Sequence, residues 1–310
     1  MKKITALLLA VFSVLSLAAC GRNFEPKYDE VTYPLYEEVP EKEDTSFKEF
    51  ASEPTDEVRK KVEEIYFEIC EFYKVDKPVP QIKVLDEDVF ERIFSVEYEA
   101  FYHPETKTIY LHENKNSSKW VIVHELLHYL SDNGEKRGFI YEAEANKERN
   151  NYFNEGATEY LTIKMLGEKH FGPYDFQRLF AHQIALVVGE ENFEKAYFTS
   201  DDSEVREFFN SSVKDFYKGV QYDSFYFDAW DEMACNCCAI WLFQLQQPLP
   251  EDFFNIIVRN EEEIIYMALK NDKGKEVKAE LKELLMGEFG FTKAECEVFE
   301  LQYLLDMKLK

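Results

Sequence analysis

Positive charge is what this sequence has least of. Its 310 residues carry 36 Lys and Arg against 61 Asp and Glu, for a net charge of −25 and a pI near 4.7. Nowhere do the basic residues gather into the patch that displaces counterions, which excludes a nucleic-acid binder. A polybasic membrane-binding patch is excluded on the same ground. The acidic excess keeps the chain soluble and favours cationic partners. Cysteine is also sparse, with six residues and no regular spacing, so there is no disulfide framework. Cys235, Cys237 and Cys238 fall within "DAWDEMACNCCAIWLFQL", which predicts a buried helix where a thiol packs as a small hydrophobe. No internal repeat is visible. What is abundant is apolar and aromatic: 45% hydrophobic residues, with 27 Phe and 19 Tyr. That suffices for one large domain or two small ones.

Residues 1–19 are set apart from the fold. Lys2 and Lys3 precede "ITALLLAVFSVLSLAA", an apolar run too short and too early for a spanning helix. It closes on "LSLAAC", which resembles the lipobox of bacterial lipoproteins. The resemblance implies cleavage before Cys20, a diacylglyceryl group on its sulfur, and a mature chain held outside the cytoplasm on the cell membrane. Loss of residues 1–19 removes two lysines and no acid, taking the charge from −25 to −27. Residues 20–53, rich in proline and acids without sustained periodicity, predict a tether.

The folded body is expected over 54–310. "PTDEVRKKVEEIYFEICEFYKV" predicts a helix capped by Thr or Asp. "VPQIKVLDE" predicts a strand, and "YEAFYHPETKTIYLHEN" a hairpin turning at "HPETK". "NSSKW" supplies the cap for the next helix, and "SDNG" its stop, through residues that tolerate the left-handed conformation. Beyond Phe139 the pattern is mainly helical, including "NEGATEYLTIKML", "YDFQRLFAHQIALVVG" and "DFFNIIVRNEEEIIYMALK". A strand-bearing part over 54–135 followed by a mainly helical part over 136–310 predicts an α+β fold.

Between cap and stop lies "VIVHELLHYL", residues 121–130. At about 100° per residue, Trp120, Ile122, Val123, Leu126, Leu127 and Leu130 cover one broad side, and His124, Glu125 and His128 share the rest. Two imidazoles and a carboxylate on a helix buried nearly all round are costly without partners. A bound cation removes that cost. Histidines at i and i+4 lie one above the other and can reach a single Zn²⁺ at about 2.0–2.1 Å. The intervening glutamate leans to the side, where it can take a proton from water activated at the metal.

This His-Glu-x-x-His segment resembles the zincin metallopeptidases. Farther on, "FNEGATEYLT" resembles the Asn-Glu-Gly or Asn-Glu-Ala segment of the gluzincins, the branch containing thermolysin and the zinc aminopeptidases. The resemblance covers residues 98–166 and implies a zincin-like fold. It makes Glu155 the third zinc ligand, Glu159 the carboxylate orienting a ligand histidine, and Glu125 the base in hydrolysis of a peptide or protein substrate. Read from the residues alone, Glu159, Glu142 or Glu144 could take the ligand's place. The strand "KTIYLHEN" is expected to line the cleft along 109–112, as the corresponding zincin strand does. For the group that stabilises the oxyanion, His170, Tyr174, His182, Tyr222 and Tyr226 stand open, with His182 better suited to core packing. No metzincin-type third histidine follows, and no Gly-x-Met-Glu-Asn segment, which favours internal cleavage. The competing expectation is a non-catalytic zinc-binding surface lipoprotein that captures peptides or scaffolds a complex.

Overall fold

The computed structural model describes residues 45–93, 99–113, 117–141, 152–167, 174–199 and 201–205, with isolated positions between 279 and 293. All of them lie in the larger of the chain's two units, Glu38–Lys310. Cys20, Glu142, Glu144, His170, Tyr222, Tyr226, the Cys235–Cys238 segment and the helix expected at "DFFNIIVRNEEEIIYMALK" lie outside the described residues.

Helix α1 (Asp56–Tyr73) begins where the Thr55 hydroxyl accepts the Val58 N–H at 3.3 Å. Lys74 ends it in the left-handed conformation, with φ 55°. Strand β1 (Gln81–Leu85) and the short helix α2 (Glu87–Ile93) follow, then the hairpin of β2 (Ala100–His103) and β3 (Thr108–His112). The turn falls at residues 104–107, as the sequence predicts. Next come α3 (Lys119–Ser131), the small ribbon of β4 (Lys136–Arg137) and β5 (Ile140–Tyr141), and the helices α4 (Tyr152–Leu166), α5 (Asp175–Val188) and α6 (Glu190–Phe198). Among the described residues no helix is long and apolar enough to cross a membrane. The result, among the described residues, is a mixed α/β structure with a small sheet and mostly helical content.

The three-stranded sheet has the order β1-β3-β2, with β1 parallel and β2 antiparallel to β3. Alternation splits its side chains between two layers. Phe101, Tyr110 and Leu85 face an aromatic layer completed by Phe47, Val89 and Phe90. The other face, with Ala100, Tyr102, Ile109 and Leu111, supports α3. That leaves α3 held between the sheet and the helices behind it, with nine of its residues buried from Ile122 to Ser131.

Two expectations are corrected here. The tether does not run to residue 53. A 3-10 helix spans Thr45–Phe50, Phe47 is buried, and Ser52 exchanges two backbone hydrogen bonds with Val84 at 2.8 and 2.9 Å. A single aromatic anchor inside an acidic segment has no periodicity to reveal it. The second concerns β3, which is the central strand, paired on both sides and buried throughout, so Ile109 to His112 offer no edge. The edge strand beside the histidine helix is β2.

Helix α3 starts as read, with the Ser118 hydroxyl accepting the Val121 N–H at 3.2 Å. Its stop differs. Asp132 is extended, its N–H bonding the Tyr129 carbonyl, and the left-handed residue is Gly134, with φ 88°.

Candidate metal centre

Successive turns of α3 bring His124 and His128 onto one side, their rings 4.8 Å apart between centroids. Helix α4 runs against α3 and carries Glu155 to the same point. Glu155 Oε2 lies 3.2 Å from His124 Nε2 and 3.2 Å from His128 Nε2, and the two Nε2 atoms are 3.1 Å apart. Four ligands at the usual zinc distances stand about 3.3 Å from one another in a tetrahedron. The three atoms therefore trace one face of such a coordination shell. Among the described residues this is the group able to hold a metal ion.

Each residue of Asn154-Glu155-Gly156 has a separate task. The Asn154 side-chain oxygen accepts the Phe139 N–H at 2.9 Å, fixing the β4–β5 ribbon to the start of α4. Glu155 supplies the carboxylate oxygen of the group able to hold a metal ion. Gly156 lets α5 come close, because a Cβ there would lie 2.3 Å from the Gln177 backbone.

Glu159, one turn beyond Glu155, sits behind His124. Its Oε2 lies 3.0 Å from His124 Nδ1 and accepts the Trp120 indole N–H at 3.3 Å. That carboxylate selects the tautomer with hydrogen on Nδ1 and a lone pair on Nε2, the atom facing Glu155. The open question between Glu155 and Glu159 thus separates into two positions, one on the metal face and one behind it. Trp120 lies one turn before His124, at the margin of the face that the sequence assigned wholly to the core. Its i−4 spacing from His124 was the available signal.

Charge makes the site suited to a cation. Glu125, Glu155 and Glu159 surround two imidazoles. Burial opposes charge on His124, yet its hydrogen bonds to Glu155 and Glu159 outweigh burial and raise its pKa well above the ordinary value. Burial alone would raise Glu155, but the charge and hydrogen bonds of His128 and His124 hold it far below the usual carboxylate range. Burial raises Glu125, against the pull of both histidines and a backbone bond from Tyr102. A divalent ion between the imidazoles would offset most of this negative charge.

Exposure separates the groups further. His124, His128 and Glu159 are buried, whereas Glu125 and Glu155 are partly open. Glu125 Oε2 accepts the Tyr102 backbone N–H at 2.7 Å, a contact that no sequence signal carries. Of the residues left open for the oxyanion, Tyr174 stacks on His124, with centroids 6.0 Å apart and planes 14° apart. His182 instead stacks on Tyr160 at 4.7 Å, in the α4–α5 packing.

No family model, no curated protein and no solved structure matches the chain.

Proposed function

We propose that the chain is a zinc-dependent peptidase of the gluzincin type with a zincin-like α+β fold, acting outside the cytoplasm as a lipoprotein tethered through Cys20. The observation that carries the reading is the triangle of His124, His128 and Glu155 ligand atoms with Glu125 beside it. Two imidazoles and one carboxylate at tetrahedral spacing suit Zn²⁺, while Ca²⁺ and Mg²⁺ favour all-oxygen shells. Bound there, the ion would act as a Lewis acid, polarising the attacking water and the scissile carbonyl.

The chain's own residues do the rest. His124 and His128 present neutral Nε2 lone pairs, the former oriented by Glu159. Glu125 takes one proton from the attacking water as its oxygen bonds to the carbonyl carbon. It then gives that proton to the departing amine as the C–N bond breaks, leaving a free amine and a carboxylic acid that retains the water's second proton. Tyr174, against His124, is the candidate donor to the carbonyl oxygen. An extended peptide would run beside β2, the edge strand next to the histidine helix.

The test compares wild type, Glu125→Gln and His124→Ala for zinc content and cleavage of a broad peptide library. Glu125→Gln should keep its zinc and lose at least ~10²-fold in turnover, the low end for a positioned base. His124→Ala should lose metal and activity together. Unchanged turnover in Glu125→Gln would refute the mechanism. Zinc-loaded wild type that cleaves nothing would turn the assignment to a peptide-binding lipoprotein.

A further inference from the structure

Tyr102 is bonded to α3 at two places. Its backbone N–H donates to Glu125 Oε2 at 2.7 Å, and its phenol donates to Asp132 Oδ2 at 2.6 Å. The two acceptors are seven residues apart, Glu125 within α3 and Asp132 at its C-terminal cap, about 10 Å along the axis. A single residue of β2 thus grips the helix on either side of His128.

The register explains why this N–H is free to do so. His112 N–H bonds the Glu99 carbonyl at 2.9 Å, and Tyr102 stands opposite Ile109. Antiparallel pairs alternate between hydrogen-bonded and non-bonded, so 99/112 and 101/110 exchange bonds and 102/109 does not. The Tyr102 N–H therefore points away from β3, toward the outer edge, and the Glu125 carboxylate receives it in place of another strand.

The far anchor is itself fixed. Asp132 is buried, its Oδ1 accepts the Gly134 N–H at 2.9 Å, and its carbonyl accepts from Lys77 Nζ. The Tyr102 ring also meets Tyr129 edge-on, with centroids 5.9 Å apart. Nothing in the catalytic reading requires so much structure around one tyrosine.

We propose that Tyr102 is the positioning residue for Glu125, its N–H fixing one carboxylate oxygen and its phenol holding that N–H in register with the helix. The inference rests on the peptidase reading of the site. With Oε2 engaged, Oε1 is the atom left to meet the water. A glutamate without that bond turns freely about its side-chain torsions, and a misplacement of about 1 Å can cost up to ~10²-fold in rate.

The first arm of the test needs no activity. In ¹⁵N-labelled protein the Tyr102 amide proton should resonate downfield and exchange slowly, and Glu125→Ala should abolish both features. Glu125→Gln, with a weaker acceptor in the same shape, serves if the alanine variant does not fold. The second arm replaces Tyr102 by its α-hydroxy acid, which turns the N–H into an ester oxygen and keeps the phenol. It should lower kcat about tenfold or more with zinc content and KM unchanged, and Tyr102→Phe should lower kcat by less. A purely structural tyrosine would lower the folded fraction and leave kcat per zinc-loaded molecule intact. A Tyr102 amide indifferent to the loss of Glu125, or an ester variant with wild-type kcat, would overturn the proposal. A protected amide in a zinc-loaded protein without turnover would instead overturn the peptidase reading and uphold the bond.

Discussion

Gly156 and Gln177 meet backbone to backbone: a methyl group on the Gly156 Cα would stand 2.3 Å from both the carbonyl carbon and the carbonyl oxygen of Gln177. An alanine inside a helix ordinarily gains about 1 kcal/mol over glycine. Here the steric cost must win, because the opposing atoms belong to helix backbone and cannot swing aside.

Gly156→Ala should therefore destabilise the fold by about 1–3 kcal/mol, as overpacking does. It should also weaken zinc binding, since Glu155 is the adjacent residue. Urea unfolding and metal titration of the same preparation measure both. A variant more stable than wild type would show that α4 and α5 do not pack this closely.

The two carboxylates around His124 should be separable. Glu155→Ala removes a ligand and should sharply lower zinc occupancy. Glu159→Ala should keep zinc while losing about 10–100-fold in affinity or activity, the usual cost of freeing a ligand histidine. Metal analysis at equal protein concentration decides, and the reverse ranking would exchange the roles of the two residues.

Much of this site could be read in the sequence, because its parts are local. The spacing of His124 and His128, the caps at Thr55 and Ser118, and the turn between β2 and β3 each follow from neighbours a few residues apart. Asn154, Glu155 and Gly156 were marked by likeness, but their separate physical tasks were not visible. Topology was less accessible. Period-two alternation says that 108–112 is a strand, yet not that it is central, and the edge beside the histidine helix belongs to β2 instead. Nor does any pattern announce that a backbone N–H at Tyr102 will serve Glu125, since every residue but proline carries one.

His103 offers a titration away from the metal face. Its Nδ1 accepts the Thr106 N–H at 3.3 Å, closing the hairpin turn, and that requires a neutral ring. Burial first, and the Lys48 charge after it, lower its pKa below the ordinary 6.5, with Glu105 opposing. Below 6.5 the unfolded chain then binds more protons at this position than the folded one. The contribution is complete above pH 6.5 and is lost as pH falls through the lowered folded value. His103→Asn, which keeps an acceptor that does not titrate, should flatten the fall in urea midpoint between pH 6.5 and 5. An identical slope in both proteins would remove His103 from the account.

Anchoring is tested at Cys20. Expressed in a bacterium, the mature chain should begin at that residue, carry acyl mass and partition into detergent. Cys20→Ser should block both lipidation and the processing that depends on it. A different N-terminus without acyl mass would remove the lipoprotein assignment and leave the metal site untouched.

The central position of β3 also sets an order of assembly. Its neighbouring amides look opposite ways: His112 N–H bonds Glu99 across the hairpin, and Glu113 N–H bonds Leu85 of the parallel partner, each at 2.9 Å. The hairpin closes over the four residues 104–107, whereas pairing Leu85 with His112 closes over the 26 residues 86–111. Chain-closure entropy makes the longer loop dearer by about 1.7 kcal/mol. Contacts near in sequence form first, so pulse-labelled exchange during refolding should protect His112 before Glu113. The strand whose Tyr102 N–H holds Glu125 would then be in place while the far side of the sheet is still open.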